Sequence, residues 1–400
     1  MIEKVQFRNF KAYRSHDLEL EPFTVLVGPN ASGKTTLLEG LSLLSAVASN
    51  LLAGGRSYWP GPLVQSHGSD APVEIGAVGK WGGIDGSVTA ISPSEAVQRA
   101  DTLTLPFWIR GEFGGGRFGI EGNHRGASRT LPLDLGYQSG KLRSDVEPSQ
   151  LGHLRAALSA TAILRFVPRL LAAASYSDEV VPSLASDGSG FASVLAYLKL
   201  SQDEVFNEIE SALREIVPSV RRIRIERAAV EQTAIRTIAL DEQRRNVPEK
   251  RTLWGNQVVF DMKGAKGVAP DSAGEGTLMV LGLLTAIMGP LKPRLVLLDD
   301  IELSLHPAAQ SRLIAALRAI QKRDPQLQII ATSHSPFILN DLDPKEVRMT
   351  YLADNGFARC EKLTAHPEFE KWKGLMAPGE FWSSVGEDWI GKLAEAAPNE

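Results

Sequence analysis

The stretch Gly28-Pro29-Asn30-Ala31-Ser32-Gly33-Lys34-Thr35-Thr36 constrains this chain more than any other. Phe23-Thr24-Val25-Leu26-Val27 before it reads as a short buried strand, and Thr36 to Leu44 reads as an apolar helix starting at the loop. Glycines let the backbone turn tightly and aim successive N–H groups at one point. The positive end of the following helix faces the same point. The spacing fits G-x-x-x-x-G-K-[ST] without a gap, so the loop reads as a phosphate cradle. Gly28 to Gly33 would wrap the phosphates, Lys34 would place a compact cation on the β- and γ-phosphates, and the Thr35 hydroxyl is a hard ligand suited to Mg²⁺. A chance glycine turn before a core helix is the plainer alternative; agreement of motif and context argues against it.

A second stretch, Leu295-Val296-Leu297-Leu298-Asp299-Asp300-Ile301-Glu302, is an apolar run ending in acids. It predicts a buried parallel strand with an acid at its C-terminal end, where an α/β sheet places ligand chemistry. Asp299 is expected to hold Mg²⁺, and Asp300 to sit beside the γ-phosphate and orient the attacking water. Capping of the helix at Pro307 is the alternative for the pair. A further strand, Leu327 to Thr332, runs into Ser333-His334-Ser335-Pro336, where His334 can hydrogen-bond the γ-phosphate. Asp271-Ser272-Ala273-Gly274-Glu275-Gly276-Thr277 opens another helix. It is a second anion site or a simple N-cap, and the residues alone leave both open. Cradle and acid strand together imply a nucleoside triphosphatase that uses Mg²⁺.

Composition narrows the setting. The chain has 400 residues, 43% apolar and 22% charged, as expected of a globular protein of two or three structural units. A net charge of −4 supplies no bulk attraction to nucleic acid, so any DNA contact must be a local patch. The single cysteine, Cys360, excludes an internal disulfide framework and a cysteine zinc cluster, and suits a reducing cytoplasm. The N-terminus lacks a basic-then-apolar leader pattern, and the longest apolar run, around 277–286, is too short to span a bilayer. These features predict a cytoplasmic chain without membrane contact.

Along the chain, strands are expected at 2–7, 18–27, 72–79, 84–91 and 102–109, and loops with a hairpin over 111–148. Apolar residues at helical spacing predict helices from about 149 to 216, ended by Pro218. Strands Val220–Arg227, Thr233–Leu240 and Gln257–Asp261 follow. Arg222 and Arg224 would share one strand face, as a solvated surface or a DNA-phosphate groove. The same choice applies to Arg8, Lys11 and Arg14. Trp372, Phe381, Trp382 and Trp389 near the C-terminus would dock on the chain's own core or anchor another protein.

The order of these motifs, with Leu305-His306-Pro307 after the acid strand and Phe7-Arg8-Asn9-Phe10-Lys11-Ala12-Tyr13 at the start, resembles the ABC-type ATPase heads of the SMC, RecF and OLD group. The resemblance covers about 1–45 and 256–350. It implies an α/β P-loop NTPase head with mixed sheets, a helical insertion between two lobes and a small C-terminal extension. The expected divisions are an N-terminal ATPase lobe 1–148, a helical insertion 149–217, a C-terminal ATPase lobe 218–350 and an extension 351–400. Such heads form homodimers around two ATP molecules. Ser272, Gly274 and Glu275 would then cover the γ-phosphate held by a second copy's Lys34 and Thr35, and His334 would act as the switch residue.

Three departures from the family pattern stand out. Asp300 occupies the place of the usual Glu, one methylene shorter; a misplacement near 1 Å can cost on the order of 100-fold in rate. Hydrolysis is therefore expected to be slow, or assisted by Glu302. Ile301 stands where proline is usual. The glutamine that links metal to lobe interface has no clear counterpart, and Gln65 is the candidate. The 149–216 region is too short for SMC-type arms, and the fifty residues after 350 lack the acids of an OLD nuclease domain. The chain thus looks most like stand-alone AAA-family ATPases of bacterial defence, whose nuclease- or toxin-like effector is a separate protein. The expected function is an ATP-gated dimer serving DNA repair or antiphage defence; the alternative is a nucleotide-dependent scaffold or sensor with negligible turnover. A small-molecule kinase is disfavoured, because it would not need the Ser272 to Thr277 element.

Overall fold

The computed structural model describes residues 1–53, 58–60, 66, 71–81, 83–92, 104–106, 108–121, 141–240, 243–302 and 304–391. The chain divides into two compact units. The first comprises Met1–Ile163, Pro293–Glu302 and Ile320–Glu400; the second comprises Leu164–Lys292 and Leu303–Ala319.

The first unit holds two sheets with a helix between them. Strands Phe23–Val27, Leu295–Leu298 and Gln328–Thr332 are buried at every position, as parallel strands covered on both faces must be. They lie in a six-stranded sheet ordered Thr161–Leu164, Leu295–Leu298, Gln328–Thr332, Phe23–Val27, Val347–Leu352, Ala358–Lys362. The second sheet has seven strands, ordered Lys141–Ser144, Gly116–Glu121, Trp108–Phe113, Ile84–Ile91, Glu74–Trp81, Ile2–Phe10, Tyr13–Glu19. Its neighbouring strands all pair antiparallel. Helix Lys34–Leu52 packs against both sheets and buries Leu37, Leu41, Leu44, Ala48 and Leu51 at helical spacing. This helix is long and apolar enough to cross a membrane by length and composition, and 56% of its most apolar window is buried inside the protein. The expected loop region contains a hairpin of Trp108–Phe113 with Gly116–Glu121, turned by Gly114 and Gly115, both at positive φ.

Two local expectations fail here, the first being the strand expected over 18–27, which is divided between the end of Tyr13–Glu19 and Phe23–Val27. Residues Thr161–Leu164 were read into a helical stretch, yet they form a strand at the edge of the six-stranded sheet. The helix Pro148–Ser159 ends just before them, and the Ala160 carbonyl accepts from the Arg294 and Leu295 amides at 2.7 and 3.2 Å. Sheet hydrogen bonding outweighs a pattern that suits either structure.

The second unit packs helices Phe191–Ser201, Asp203–Ile216 and Glu275–Met288 around the root of a long β-ribbon. Phe206, Ile209, Leu213, Ile216, Ile223, Val258 and Phe260 are buried there. The ribbon pairs Val220–Leu240 with Gln243–Met262, antiparallel, from Val220↔Met262 to Leu240↔Gln243. The sequence predicts three short strands in this region; the structure joins the first two into Val220–Leu240 and extends the third back to Gln243. Ala228 and Ala229 break the apolar alternation that marks a strand, and Pro248 argues against a central one. Beyond its root, where Ala265–Val268 adds a third strand, the ribbon has only edge strands, and an edge strand tolerates a proline.

Candidate functional site

The glycine loop sits at the C-terminal end of the buried strand Phe23–Val27. Gly28 has φ +144°, and a Cβ there would lie 2.3 Å from the backbone oxygen of Thr350. No side chain fits. Ala31 takes φ 62° and Gly33 φ 99°, which curls the loop into the helix at Lys34. Pro29, Asn30 and Ala31 are exposed, while Ser32 is buried. Ser32 Oγ lies 2.5 Å from Thr350 Oγ1, whose own hydroxyl donates to the Val27 carbonyl at 3.0 Å. Tyr13, fully buried, donates its hydroxyl to the Gly33 carbonyl at 3.3 Å. The loop is thus held from beneath by Thr350 and Tyr13, neither of which stands out in the sequence as a loop support.

Lys34 folds over the loop, and its Nζ donates to the carbonyls of Gly28 and Pro29, each at 2.8 Å. Burial lowers its pKa, and the neighbouring Asp300 and Asp299 carboxylates work against that shift. The Thr35 hydroxyl donates to both Asp299 oxygens at 3.3 Å, so cradle and acid strand converge on one point. One hydroxyl and one carboxylate suit Mg²⁺, which keeps several waters and takes its other ligands from phosphate. The wrapped glycine loop, its cation and this donor pair fit a Mg²⁺–nucleotide triphosphate.

Strand Leu295–Leu298 runs parallel to Gln328–Thr332 in the register Leu298↔Ala331, which brings the residues beyond each strand end side by side. The Thr332 hydroxyl donates to Asp299 Oδ1 at 2.7 Å and accepts from the Asp300 amide at 2.8 Å. The Ile301 amide donates to the Thr332 carbonyl at 2.9 Å. Asp300 itself takes φ 55°, a left-handed conformation that aspartate tolerates at some cost. Its pKa is raised, first by burial and then by the Glu302 and Asp299 charges. Glu302 accepts from the Ser333 hydroxyl and from the His334 amide, both at 2.9 Å. It therefore fastens the strand end that carries His334. The structure brings Lys34, Thr35, Asp299, Asp300, Glu302 and His334 into one unit. Gln65 lies outside the described residues.

Ser272, Gly274 and Glu275 belong to the second unit, where all three are exposed. Gly274 is the N-cap of helix Glu275–Met288, with φ 88° and no side-chain cap hydrogen bond. Ser272 sits in the preceding single turn, Pro270–Ser272. The simple side-chain cap weighed for Asp271 and Ser272 does not form.

The basic residues near the N-terminus are engaged within the fold. Arg8 pairs with Asp17 at 2.7 Å, Lys11 with Glu39 at 2.5 Å, and Arg14 lies 5.3 Å from the Phe357 ring. On the ribbon, Arg224 pairs with Glu226 at 2.5 Å. Of the C-terminal aromatics, Phe381 and Trp389 are buried and meet His366 edge-on, whereas Trp372 is partly exposed.

A family profile described as "AAA domain, putative AbiEii toxin, Type IV TA system" matches residues 119–340, more than half of the chain. The chain belongs to this AAA family. A second profile, "AAA ATPase domain", matches residues 1–121 and so includes the cradle. Among curated proteins, the OLD nuclease of Thermus scotoductus is 43% identical over 44 residues, 11% of this chain and 8% of that protein. The DNA replication and repair protein RecF of Chloroflexus aggregans is 43% identical over 56 residues, 14% of either protein. The chain spans only a small part of these relatives' lengths. Among solved structures, an SMC head crystallised with the C-winged helix domain of ScpA superposes with a TM-score of 0.51 at 11% identity, covering 92% of this chain and 99% of that one. That likeness is one of fold. The AAA-family chain is thus an ABC-type P-loop ATPase of the SMC, RecF and OLD-like group, with mixed α/β architecture.

Proposed function

We propose that this AAA-family chain binds and slowly hydrolyses ATP with Mg²⁺, and that it does so as a homodimer closed around two nucleotides. The convergence of Lys34, Thr35 and Asp299 on one point is the observation that carries this reading. Lys34 exchanges the loop carbonyls for phosphate oxygens when nucleotide enters. Thr35 and Asp299 would hold the metal, which when bound would supply Lewis-acid charge neutralisation at the phosphates. Asp300, beside the metal-binding Asp299, orients the attacking water. His334 senses the γ-phosphate, with Glu302 holding its backbone. Gln65 remains the candidate link from metal to lobe interface.

The open helix start at Ser272, Gly274 and Glu275 supports the dimer: it is exposed and uncapped, as a surface that meets a second copy's γ-phosphate should be. Closure would follow ATP binding and release would follow hydrolysis. The proposed setting is antiphage defence through a separate nuclease- or toxin-like effector, with DNA repair as the second setting; the family description's putative AbiEii toxin and toxin–antitoxin system, and the short similarity to RecF, are compatible with these two settings. Internal pairing of Arg8 and Lys11 weakens the case for DNA at that surface. A cytoplasmic location suits the buried, reduced Cys360.

The test is phosphate release and nucleotide binding by the full chain. Wild type should bind ATP and release phosphate, and Lys34→Ala should lose both. Equal release by the two proteins would refute this site. Binding without release in wild type would instead favour the nucleotide-dependent scaffold.

A further inference from the structure

We infer that Thr332 is a positioning residue that sets the metal-binding carboxylate and the water-orienting acid together. The inference rests on the ATP–Mg²⁺ reading of the site. Thr332 ends the strand beside the acid strand and is completely buried. One hydroxyl serves both acids. Its proton goes to Asp299 Oδ1 at 2.7 Å, and its lone pair receives the Asp300 amide at 2.8 Å. Its carbonyl receives the Ile301 amide at 2.9 Å. Three consecutive residues of the acid strand are thus fixed by one residue of the neighbouring strand.

The arrangement has a directional logic. A hydroxyl carries a single proton, and here both neighbouring groups dictate its use. The Asp300 amide can only donate, so the Thr332 proton goes to a carboxylate, and Asp299 Oδ1 at 2.7 Å is much nearer than Asp300 Oδ1 at 3.5 Å. That bond fixes Oδ1 and orients the carboxylate towards the Thr35 hydroxyl, which reaches both of its oxygens at 3.3 Å. The amide contact also holds the Asp300 backbone at φ 55°, a conformation that needs outside support. Glu302 forms the reciprocal link from the acid strand to Ser333 and His334. Through Thr332 and Glu302, each strand end positions the other's functional residues.

Valine at 332 keeps the shape and removes both hydrogen bonds; serine keeps the hydroxyl. Removing such an outer partner of a metal ligand typically costs about 10- to 100-fold in metal affinity or activity. The experiment titrates Mg²⁺ against binding of a fluorescent ATP analogue to the full-length wild type, Thr332→Val and Thr332→Ser, with a further measurement in chelator. The half-saturating Mg²⁺ concentration should rise roughly 10-fold or more in Thr332→Val and return to within a few-fold of wild type in Thr332→Ser. Binding in chelator, which depends on the cradle and Lys34, should stay within about 2-fold in both variants, which separates positioning from general loss of structure. A wild-type Mg²⁺ midpoint in Thr332→Val, or a failure of serine to restore it, overturns the assignment while leaving the nucleotide site standing. Absence of analogue binding in wild type overturns both.

Discussion

Gly28 and Gly274 both take positive φ just ahead of a helix, yet they live under opposite constraints. A Cβ on Gly28 would lie 2.3 Å from the Thr350 carbonyl oxygen, whereas on Gly274 its nearest neighbour would be Thr277 Oγ1 at 4.0 Å. The cradle is packed and held from beneath by Thr350 and Tyr13. The helix start in the second unit is exposed and uncapped. One is a pocket shaped by its own fold; the other is a surface whose groups point outwards. Two glycines that look alike in sequence thus mark a packed loop and an exposed helix start.

The contrast can be broken by the same substitution at both places. Gly28→Ala combines a disfavoured φ with a backbone collision and should destabilise the first unit by roughly 3 kcal/mol or more. Gly274→Ala meets only the φ cost, about 1–2 kcal/mol. Urea unfolding monitored within each unit reads both, and equal losses would remove the distinction.

An intermediate effect should come from acid, acting beneath the cradle. His16 stacks on Tyr13, the loop support, with ring centroids 5.5 Å apart. Burial lowers its pKa to about 4, with Arg359 adding to the shift and a backbone hydrogen bond to Cys360 opposing it. The folded protein therefore holds His16 neutral where the unfolded chain protonates it near pH 6.5. Its contribution is full above that pH and is lost as pH falls towards 4. Between pH 7 and 4.5 the loss is on the order of 2.5 kcal/mol. Denaturant midpoints at the two pH values check this, and His16→Phe should flatten the dependence. An unchanged slope in that variant would assign the acid sensitivity elsewhere.

The legibility of the molecule in its sequence follows the same division between local and non-local constraint. The tight turns at Gly28 and Gly33 and the helix start at Lys34 are legible because such a loop is specified by neighbours along the chain. The buried strands at 295–298 and 328–332 were readable as apolar runs. Thr332 was read only as a strand end. Its role depends on two strands meeting in the register Leu298↔Ala331, and spacing along one strand carries no trace of that. Thr350 and Tyr13 are hidden for the same reason, since their partners lie 318 and 20 residues away. Glu302 was read as an aid to hydrolysis; its hydrogen bonds to Ser333 and His334 come from that same pairing of strand ends. The ribbon was read in fragments because its backbone ladder requires no alternation of side chains. Thr161–Leu164 shows the converse, a segment with helical neighbours recruited by the edge of a sheet.

The central claim is that the pinned half-site and the open one complete each other across two copies of the chain. The most direct measurement is the mass in solution of Asp300→Asn, with and without ATP and Mg²⁺, at micromolar concentration. Removing the water-orienting carboxylate should leave nucleotide bound and unhydrolysed. The expected result is a monomer without ATP and a long-lived dimer with it. A monomer under both conditions, with ATP demonstrably bound, would contradict it.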